Sequence, residues 1–448
     1  MTTKIVVIGL GYVGIPAAAL LADVDGHDVI GLQRRSKRSG WKIEVLNDGK
    51  SPIEGVEPGL DELIAKVVSK GTFRATDDIE VLKEADVILI DVQTPTDSQN
   101  MPQYLSLREV SKNIGQRIKK GALVIVESTV APGTTQHVVQ TIIEKESGLK
   151  GGVDFDLAFS YERVMPGKLL EFIVNMPRVV GGITPKATKR ASDLYATIVK
   201  EKIYTTNTLS AELSKTIENA YRDVNIAFAN EMALVSESLG VNIYEIIELI
   251  NARHDRHMHI PGAGVGGHCL PKDPWLLRYG LYEYGTWKVE PEFISVARRV
   301  NNHMPVHMAD LVENALITKK VLIQDAEVTI LGIAYLEDSD DTRNTPVAVL
   351  AAALQSRGAT VRLHDPYVRE WEFGPQTIET DIMKAAKDSD CLVLVTKHSE
   401  YFSLNLDDIK KVMRTPIIVD GRNVFDMKKI TDMGFEYRCV GKSGIKRA

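Results

Sequence analysis

The stretch Pro261-Gly262-Ala263-Gly264-Val265-Gly266-Gly267-His268-Cys269-Leu270-Pro271-Lys272-Asp273-Pro274 carries the strongest chemical signal in the chain. Its glycines let backbone approach a ligand closely and adopt dihedrals closed to other residues. A cysteine at the end of such a run, with Lys272 and Asp273 beside it, reads as a positioned nucleophile. A thiol is activated by local positive charge or by a base, and His268 and Lys272 are the candidates for that field. The competing assignment is a buried structural cysteine. It suits Cys391, which stands inside an apolar run, and Cys439 offers no functional signal. His254, His257, His259, His268 and Cys269 raise the question of zinc. Their spacing matches no paired C-x-x-C or H-E-x-x-H arrangement, so no metal is expected.

A second signal opens the chain. Gly9-Leu10-Gly11-Tyr12-Val13-Gly14 is G-x-G-x-x-G, preceded by the strand-like Lys4–Gly9 and followed by a helical run at Ile15–Leu21. In that context the first glycine makes the tight turn, the second admits a pyrophosphate to the backbone, and the third lets helix and strand pack. The helix N-terminus adds oriented N–H groups for the phosphates, so Gly9, Gly11, Tyr12, Val13 and Gly14 are candidate cofactor residues. The acidic residue that ordinarily binds the ribose hydroxyls about twenty residues on is replaced by Gln33. Arg34, Arg35, Lys37 and Arg38 follow it. Glutamine still hydrogen-bonds a ribose hydroxyl but has lost the charge that repels a 2′-phosphate. NAD is therefore the expected cofactor, with NADP accepted as well; the alternative is that the basic cluster is a solvated loop.

The elements that must position these residues are legible as buried-strand runs. His27–Leu32, Asp86–Val92 and Ala122–Ser128 are short and largely apolar, with periodic segments between them. Such runs suit parallel strands covered on both faces. From Ser210 to Leu239 no Pro or Gly interrupts the chain, which predicts one long helix, a connecting and dimer-forming element. Asn251–Pro274 is rich in His, Gly and Pro and is expected to be loop. Glu327–Ile333, Thr360–His364, Cys391–Thr396 and Pro416–Val419 then repeat the strand pattern. At 448 residues, 44% hydrophobic and 25% charged, the chain reads as a globular protein of two or three domains. A net charge of −6 gives no reason to expect nucleic acid. No apolar run reaches membrane-spanning length, no signal peptide is visible, and three sparse cysteines suit a reducing cytoplasm.

At these residues the chain resembles the UDP-glucose/GDP-mannose dehydrogenase family, in order and over nearly its whole length. The matching pieces are Gly9–Gly14, Leu46–Pro52, Glu127–Thr135 (ESTVAPGTT), Leu213–Glu231, Gly264–Pro274 and Asp340–Pro346. Gln33 departs from the pattern and puts cofactor choice in question. Tyr161–Lys168 and Asn251–Arg256 are similar to the branch acting on UDP-N-acetylhexosamines. The resemblance implies a four-electron, NAD-dependent oxidation of the sugar C6 hydroxymethyl group to the acid, with Cys269 passing through a thiohemiacetal and a thioester. UDP-N-acetylmannosamine is the first expected substrate and polysaccharide biosynthesis the setting. It implies that Lys215, one turn from Asn219, stabilises an oxyanion, and that Asp273 and Thr129 hold a water or relay protons. Glu162 would assist thioester hydrolysis. Thr94, Thr129 and Arg343 join Gln33 and Arg34 in the implied cofactor set, Arg343 also reaching toward the substrate site. Arg163, Arg253, Arg256, Lys215, Asn219 and Gly266 are implied on the substrate side.

The expected architecture is thus α/β: two Rossmann-like doubly wound domains joined by a helical middle domain with a long central helix. Residues 1–206 would bind the cofactor, residues 207–312 would form the central and dimerisation domain, and residues 313–448 would bind the UDP-sugar. The expected partners are a UDP-sugar and a second copy of the chain. A 6-dehydrogenase for UDP-glucose or for UDP-N-acetylglucosamine or -galactosamine is one alternative. A two-electron 3-hydroxyacid dehydrogenase would need neither Cys269 nor a third domain. A binding protein without catalysis is the remaining alternative, against which the set Cys269, Lys215, Asn219 and Asp273 stands.

Overall fold

A computed structural model describes residues 2–37, 39–53 and 55–442. The first sheet contains β1 (Thr3–Ile8), β2 (His27–Leu32), β3 (Phe73–Thr76), β4 (Val87–Ile90), β5 (Leu123–Val126), β6 (Asp156–Phe159), β7 (Arg178–Gly182) and β8 (Ile203–Asn207). Its order is β3-β2-β1-β4-β5-β6-β7-β8. The second sheet contains β9 (Glu327–Leu331), β10 (Thr360–His364), β11 (Ile378–Glu379), β12 (Cys391–Leu394), β13 (Ile417–Asp420) and β14 (Glu436–Cys439), in the order β11-β10-β9-β12-β13-β14. Counting each sheet from its own first strand, both begin with the doubly wound order 3-2-1-4-5-6. The two Rossmann-like sheets expected from the sequence are therefore present.

Both faces of each sheet are covered, which is why their strands read as continuous apolar runs. In β1, Ile5 and Val7 belong to one buried cluster and Val6 and Ile8 to another. In the second sheet, Val328, Ile330 and Val393 pack on one side, and Leu331, Leu392 and Leu394 on the other. Strand ends differ from expectation by one or two residues. Asp86–Val92 pairs only over Val87–Ile90, because apolar character outruns the hydrogen-bonded ladder. The strands without a sequence signal include the edges β3, β8, β11 and β14, whose residues are partly exposed and more polar. One feature corrects the all-parallel expectation: β7 runs antiparallel to β6, pairing Phe159 with Gly181 and Ala158 with Gly182.

The helices that matter for the site are α1 (Gly14–Ala22), α2 (Thr208–Leu239), α3 (Ile243–Asn251), α4 (Asp273–Tyr284) and α5 (Glu292–Thr318). The expected long helix is α2, and it stops where Gly240 takes a left-handed φ of 78°. The His/Gly/Pro stretch is loop between α3 and α4, except that Asn251 still belongs to α3 and Asp273 and Pro274 already belong to α4. The chain forms two compact units, Met1–Glu218 with Trp275–Glu290, and Asn219–Pro274 with Pro291–Ala448. Each is described by itself below. Among the described residues no helix is long and apolar enough to cross a membrane.

Candidate active site

In the first unit the glycine loop sits after β1, beside β4, at the point where strand order reverses. Its three glycines divide the work as the motif requires. Gly9 has φ 104°, and a Cβ there would stand 2.4 Å from the Asp91 carbonyl oxygen. A Cβ on Gly14 would meet the Gly9 carbonyl oxygen at 2.1 Å, so only glycine lets α1 approach. A Cβ on Gly11 would meet nothing within 4 Å, which leaves open space over the backbone for a diphosphate. Tyr12 and Val13 lead into α1, with Ile15 N–H donating to Gly11 and Ala17 N–H to Val13.

Gln33 Oε1 accepts the Leu10 N–H at 3.0 Å, so this glutamine braces the phosphate loop. Its Nε2 donates to Ser39 Oγ at 3.0 Å. The basic residues after it have acidic neighbours: Arg35 pairs with Glu44 and Asp77, and Arg34 with Glu109 at 3.4 Å. Arg38 lies outside the described residues. Across the crevice, Thr94 Oγ1 donates to the Thr129 carbonyl at 2.6 Å, and Ser128 Oγ donates to Val92 at 2.7 Å. These bonds clip the loop after β5 to the loop after β4.

Glu162 follows β6, and its carboxylate accepts the Val164 N–H at 2.5 Å. Lys215, buried on α2, donates from Nζ to the Glu162 carbonyl at 2.9 Å and lies 5.2 Å from the Tyr161 ring centre. The structure thus brings Lys215 and the Glu162 turn together. Arg163 is committed elsewhere: its guanidinium holds Glu218 at 2.8 Å and the Tyr161 hydroxyl at 3.0 Å. That pairing keeps the Glu218 carboxyl below its ordinary range despite burial.

In the second unit Asn219, one helical turn beyond Lys215, donates from Nδ2 to Asp273 at 2.5 Å. The Lys272 ammonium lies 3.3 Å from the same buried carboxylate. Cys269 is exposed, and its carbonyl accepts the Lys272 and Asp273 N–H groups at 3.1 and 2.8 Å. The thiol therefore rides on a turn that feeds the first residue of α4. His268 does not supply the positive charge expected of it. Burial, and then the charges of Lys272 and Arg343, push its imidazole down to about 4, so it is neutral at neutral pH. Lys272 remains as the cation beside the turn.

The glycine run is held shut by the Asp340–Pro346 segment. Gly267 N–H donates to the Arg343 carbonyl at 2.8 Å, and Asn344 Nδ2 donates to the Gly267 carbonyl at 3.0 Å. A Cβ on Gly266 would come within 2.6 Å of Tyr335 Cβ. Arg343 itself pairs with Asp341 at 2.5 Å, and Arg253 and Arg256 both pair with Asp255; the three arginines are exposed. The other two cysteines are buried, Cys391 in β12 and Cys439 in β14; burial pushes both thiols up, Cys439 to about 12. Among the described residues no group of three His, Cys, Asp or Glu side chains is arranged to hold a metal ion.

Sequence reasoning missed two buried groups. Glu212, one turn before Lys215 on α2, accepts the Gly133 and Thr135 N–H groups at 2.6 and 2.7 Å. Asp91 and Glu127 at strand ends, Arg178 at the start of β7 and Tyr195 at the end of the helix Pro185–Tyr195 form a polar cluster. An ionisable residue directly after a four-residue apolar strand, Asp91 after β4 and Glu127 after β5, was the available signal.

The three stretches that build these sites match the three parts of one family. The UDP-glucose/GDP-mannose dehydrogenase NAD binding domain matches residues 3–199, the central domain residues 209–303, and the UDP binding domain residues 329–427. The chain belongs to the UDP-glucose/GDP-mannose dehydrogenase family. It is an NAD-dependent dehydrogenase, and the open cradle over Gly11 fits that cofactor's diphosphate. A curated relative from Pyrococcus horikoshii, a UDP-N-acetyl-D-mannosamine dehydrogenase, is 39% identical over 99% of this chain and 100% of its own. A solved UDP-D-ManNAc dehydrogenase structure from that organism superposes with a TM-score of 0.90 over 99% and 100% of the two chains, again at 39% identity. An NDP-N-acetyl-D-galactosaminuronic acid dehydrogenase from Methanosarcina mazei Go1 is 40% identical, with a TM-score of 0.89 over 99% and 96%.

Proposed function

We propose that this enzyme oxidises the C6 hydroxymethyl group of a UDP-2-acetamido sugar to the carboxylate, with UDP-N-acetylmannosamine as first substrate. The full-length 39% identity to the Pyrococcus horikoshii enzyme carries that choice. The 40% identity to the Methanosarcina mazei enzyme makes the galacto epimer the second candidate.

Turning an alcohol into a carboxylate removes four electrons. NAD held at the Gly9–Gly14 loop would supply the hydride acceptor for each of the two oxidations, so two cofactors would be reduced per sugar acid. The intermediate aldehyde has no oxyanion to expel the second hydride. The Cys269 thiolate supplies one: a C–S bond forms as the carbonyl electron pair moves to oxygen. The Lys215 ammonium stabilises that oxyanion, with Asn219 completing the pair. Loss of the second hydride leaves a thioester. Water then adds, Glu162 takes its proton, the thiolate departs, and the acid is released. Thr129 and Asp273 hold the water or pass its proton. Arg253, Arg256 and the backbone at Gly266 receive the diphosphate and sugar. Arg163, bound to Glu218, orients the Tyr161–Glu162 turn.

The domain limits 1–206, 207–312 and 313–448 are part of this proposal, as is a homodimer. An exposed apolar stripe on α2 supports the dimer: Leu209, Leu213, Ile217 and Tyr221 recur every fourth residue, and Phe228, Val235 and Leu239 extend the row. A net charge of −6 supports the absence of a nucleic-acid partner, and three sparse cysteines support the cytoplasm. The test is a panel of UDP-sugars with NAD, scored by product mass and by NADH formed per product. Two NADH per acid and highest kcat/KM on UDP-N-acetylmannosamine are expected. Higher kcat/KM on UDP-glucose would overturn the substrate and leave the family intact.

A further inference from the structure

All strands of the first sheet from β1 to β6 are parallel, and their carboxyl ends form the rim that carries the phosphate loop. Reversal at β7 brings the start of that strand, Arg178, to the same rim. There its guanidinium, almost fully buried, bonds Glu127 and donates to Ser160 Oγ at 2.8 Å. Its carbon lies 3.7 Å from the centre of the Tyr195 ring, and the Tyr195 hydroxyl donates to Glu127 at 2.8 Å.

Asp91 completes the cluster. It follows β4 and sits under the phosphate loop: a Cβ on Gly14 would stand 3.4 Å from Asp91 Cβ. The residue is part-exposed, but its Oδ2 is sealed from solvent, and so is Glu127 Oε2. Neither oxygen meets a hydrogen-bond donor, and the two residues are neighbours, because they directly follow the paired Ile90 and Val126 of β4 and β5. Glu127, Glu162 and Asp91 all face the single Arg178 guanidinium, so the carboxylates outnumber it. A single proton between Asp91 and Glu127 resolves both facts, since one O–H···O bond satisfies both orphan oxygens and takes one negative charge out of the cluster.

We propose that Asp91 is a positioning residue that carries this shared proton, removing a negative charge from the floor of the phosphate loop, and that its ionisation weakens cofactor binding. The groups facing Asp91 are Glu127 after β5, Glu162 after β6, Arg178 on β7 and Tyr195 at the end of the helix Pro185–Tyr195. Burial first, and then the Glu127 charge, drive its carboxyl well above the ordinary range, while Arg178 opposes. Charging Asp91 as well as Glu127 would add an anion that Arg178 does not balance beneath the cofactor diphosphate. The inference rests on the Gly9–Gly14 loop holding that diphosphate.

Two measurements test it on the full-length protein. Infrared spectra should contain a protonated-carboxyl band at neutral pH that Asp91→Asn removes. Glu127→Gln should remove it too, because Arg178 then takes its counter-charge from Asp91. The Kd for NAD should rise with pH in the parent and stay flat both in Asp91→Asn and in Glu127→Gln, where Arg178 balances the Asp91 charge at every pH. A carboxyl band unchanged in Asp91→Asn would overturn the proposal, as would tenfold weaker NAD binding by that variant at neutral pH. Gly11→Val separates the premise: unchanged NAD affinity there would remove the loop assignment without touching the infrared result.

Discussion

Glu212 offers a perturbation whose size follows from its surroundings. Its carboxylate is buried on α2, where the backbone N–H groups of Gly133 and Thr135 point at it. Burial outweighs those two bonds and pushes the carboxyl from 4.5 up to about 7. Tyr104 and Tyr284 face it. A displacement of that size corresponds to about 3 kcal/mol. Because the folded value is raised, the folded protein holds the proton more tightly than the unfolded chain. The stabilising contribution is complete below the unfolded value and is lost as pH rises through about 7. Glu212→Gln keeps the shape, cannot ionise, and gives up one N–H acceptor at every pH, which costs about 1–3 kcal/mol. The unfolding free energy of the parent minus that of the variant should therefore shrink by about 2–3 kcal/mol between roughly pH 5 and pH 8. Urea unfolding of both proteins across that range measures it. A difference that is flat, or that widens with pH, would refute the reasoning and mean that the two N–H bonds outweigh desolvation.

Cys269→Ala should abolish acid formation while UDP-sugar binding survives, and Glu162→Gln should slow hydrolysis about 100-fold and leave a thioester on Cys269 visible by intact mass. Full activity of Cys269→Ala, or one NADH per product, would exclude the covalent route. Arg34 makes only a long 3.4 Å pair, so Arg34→Ala should lower kcat/KM for NADP more than Arg35→Ala does; NADP inert with every variant would make the cluster a solvated loop. Tyr221→Asp, in the exposed stripe of α2, should give a monomer by light scattering, and an unchanged particle mass would move the dimer contact elsewhere.

Local sequence was enough for the parts whose physics is local. A buried parallel strand must be apolar on both faces, so β1, β2, β4, β5, β9, β10, β12 and β13 were visible as runs. The phosphate loop needs glycine at fixed spacing because Cβ atoms at Gly9 and Gly14 would strike backbone, and that constraint is written into the motif. The long helix needed only the absence of Pro and Gly up to Gly240. The Cys269 turn announced itself by composition. Tertiary structure decided what depends on partners distant in the chain. His268 looked like a cation beside Cys269, and only burial next to Lys272 and Arg343 makes it neutral. Arg163 looked available for a ligand until α2 brought Glu218 against it. The reversal of β7 has no signature in its own residues, because strand direction is set by what lies across the ladder. Yet that reversal delivers Arg178 to Glu127 over 51 residues of sequence and fixes the charge beneath the cofactor loop. Spacing along a chain records which residue types are present; a carboxylate's protonation follows from which charges and donors the fold sets around it.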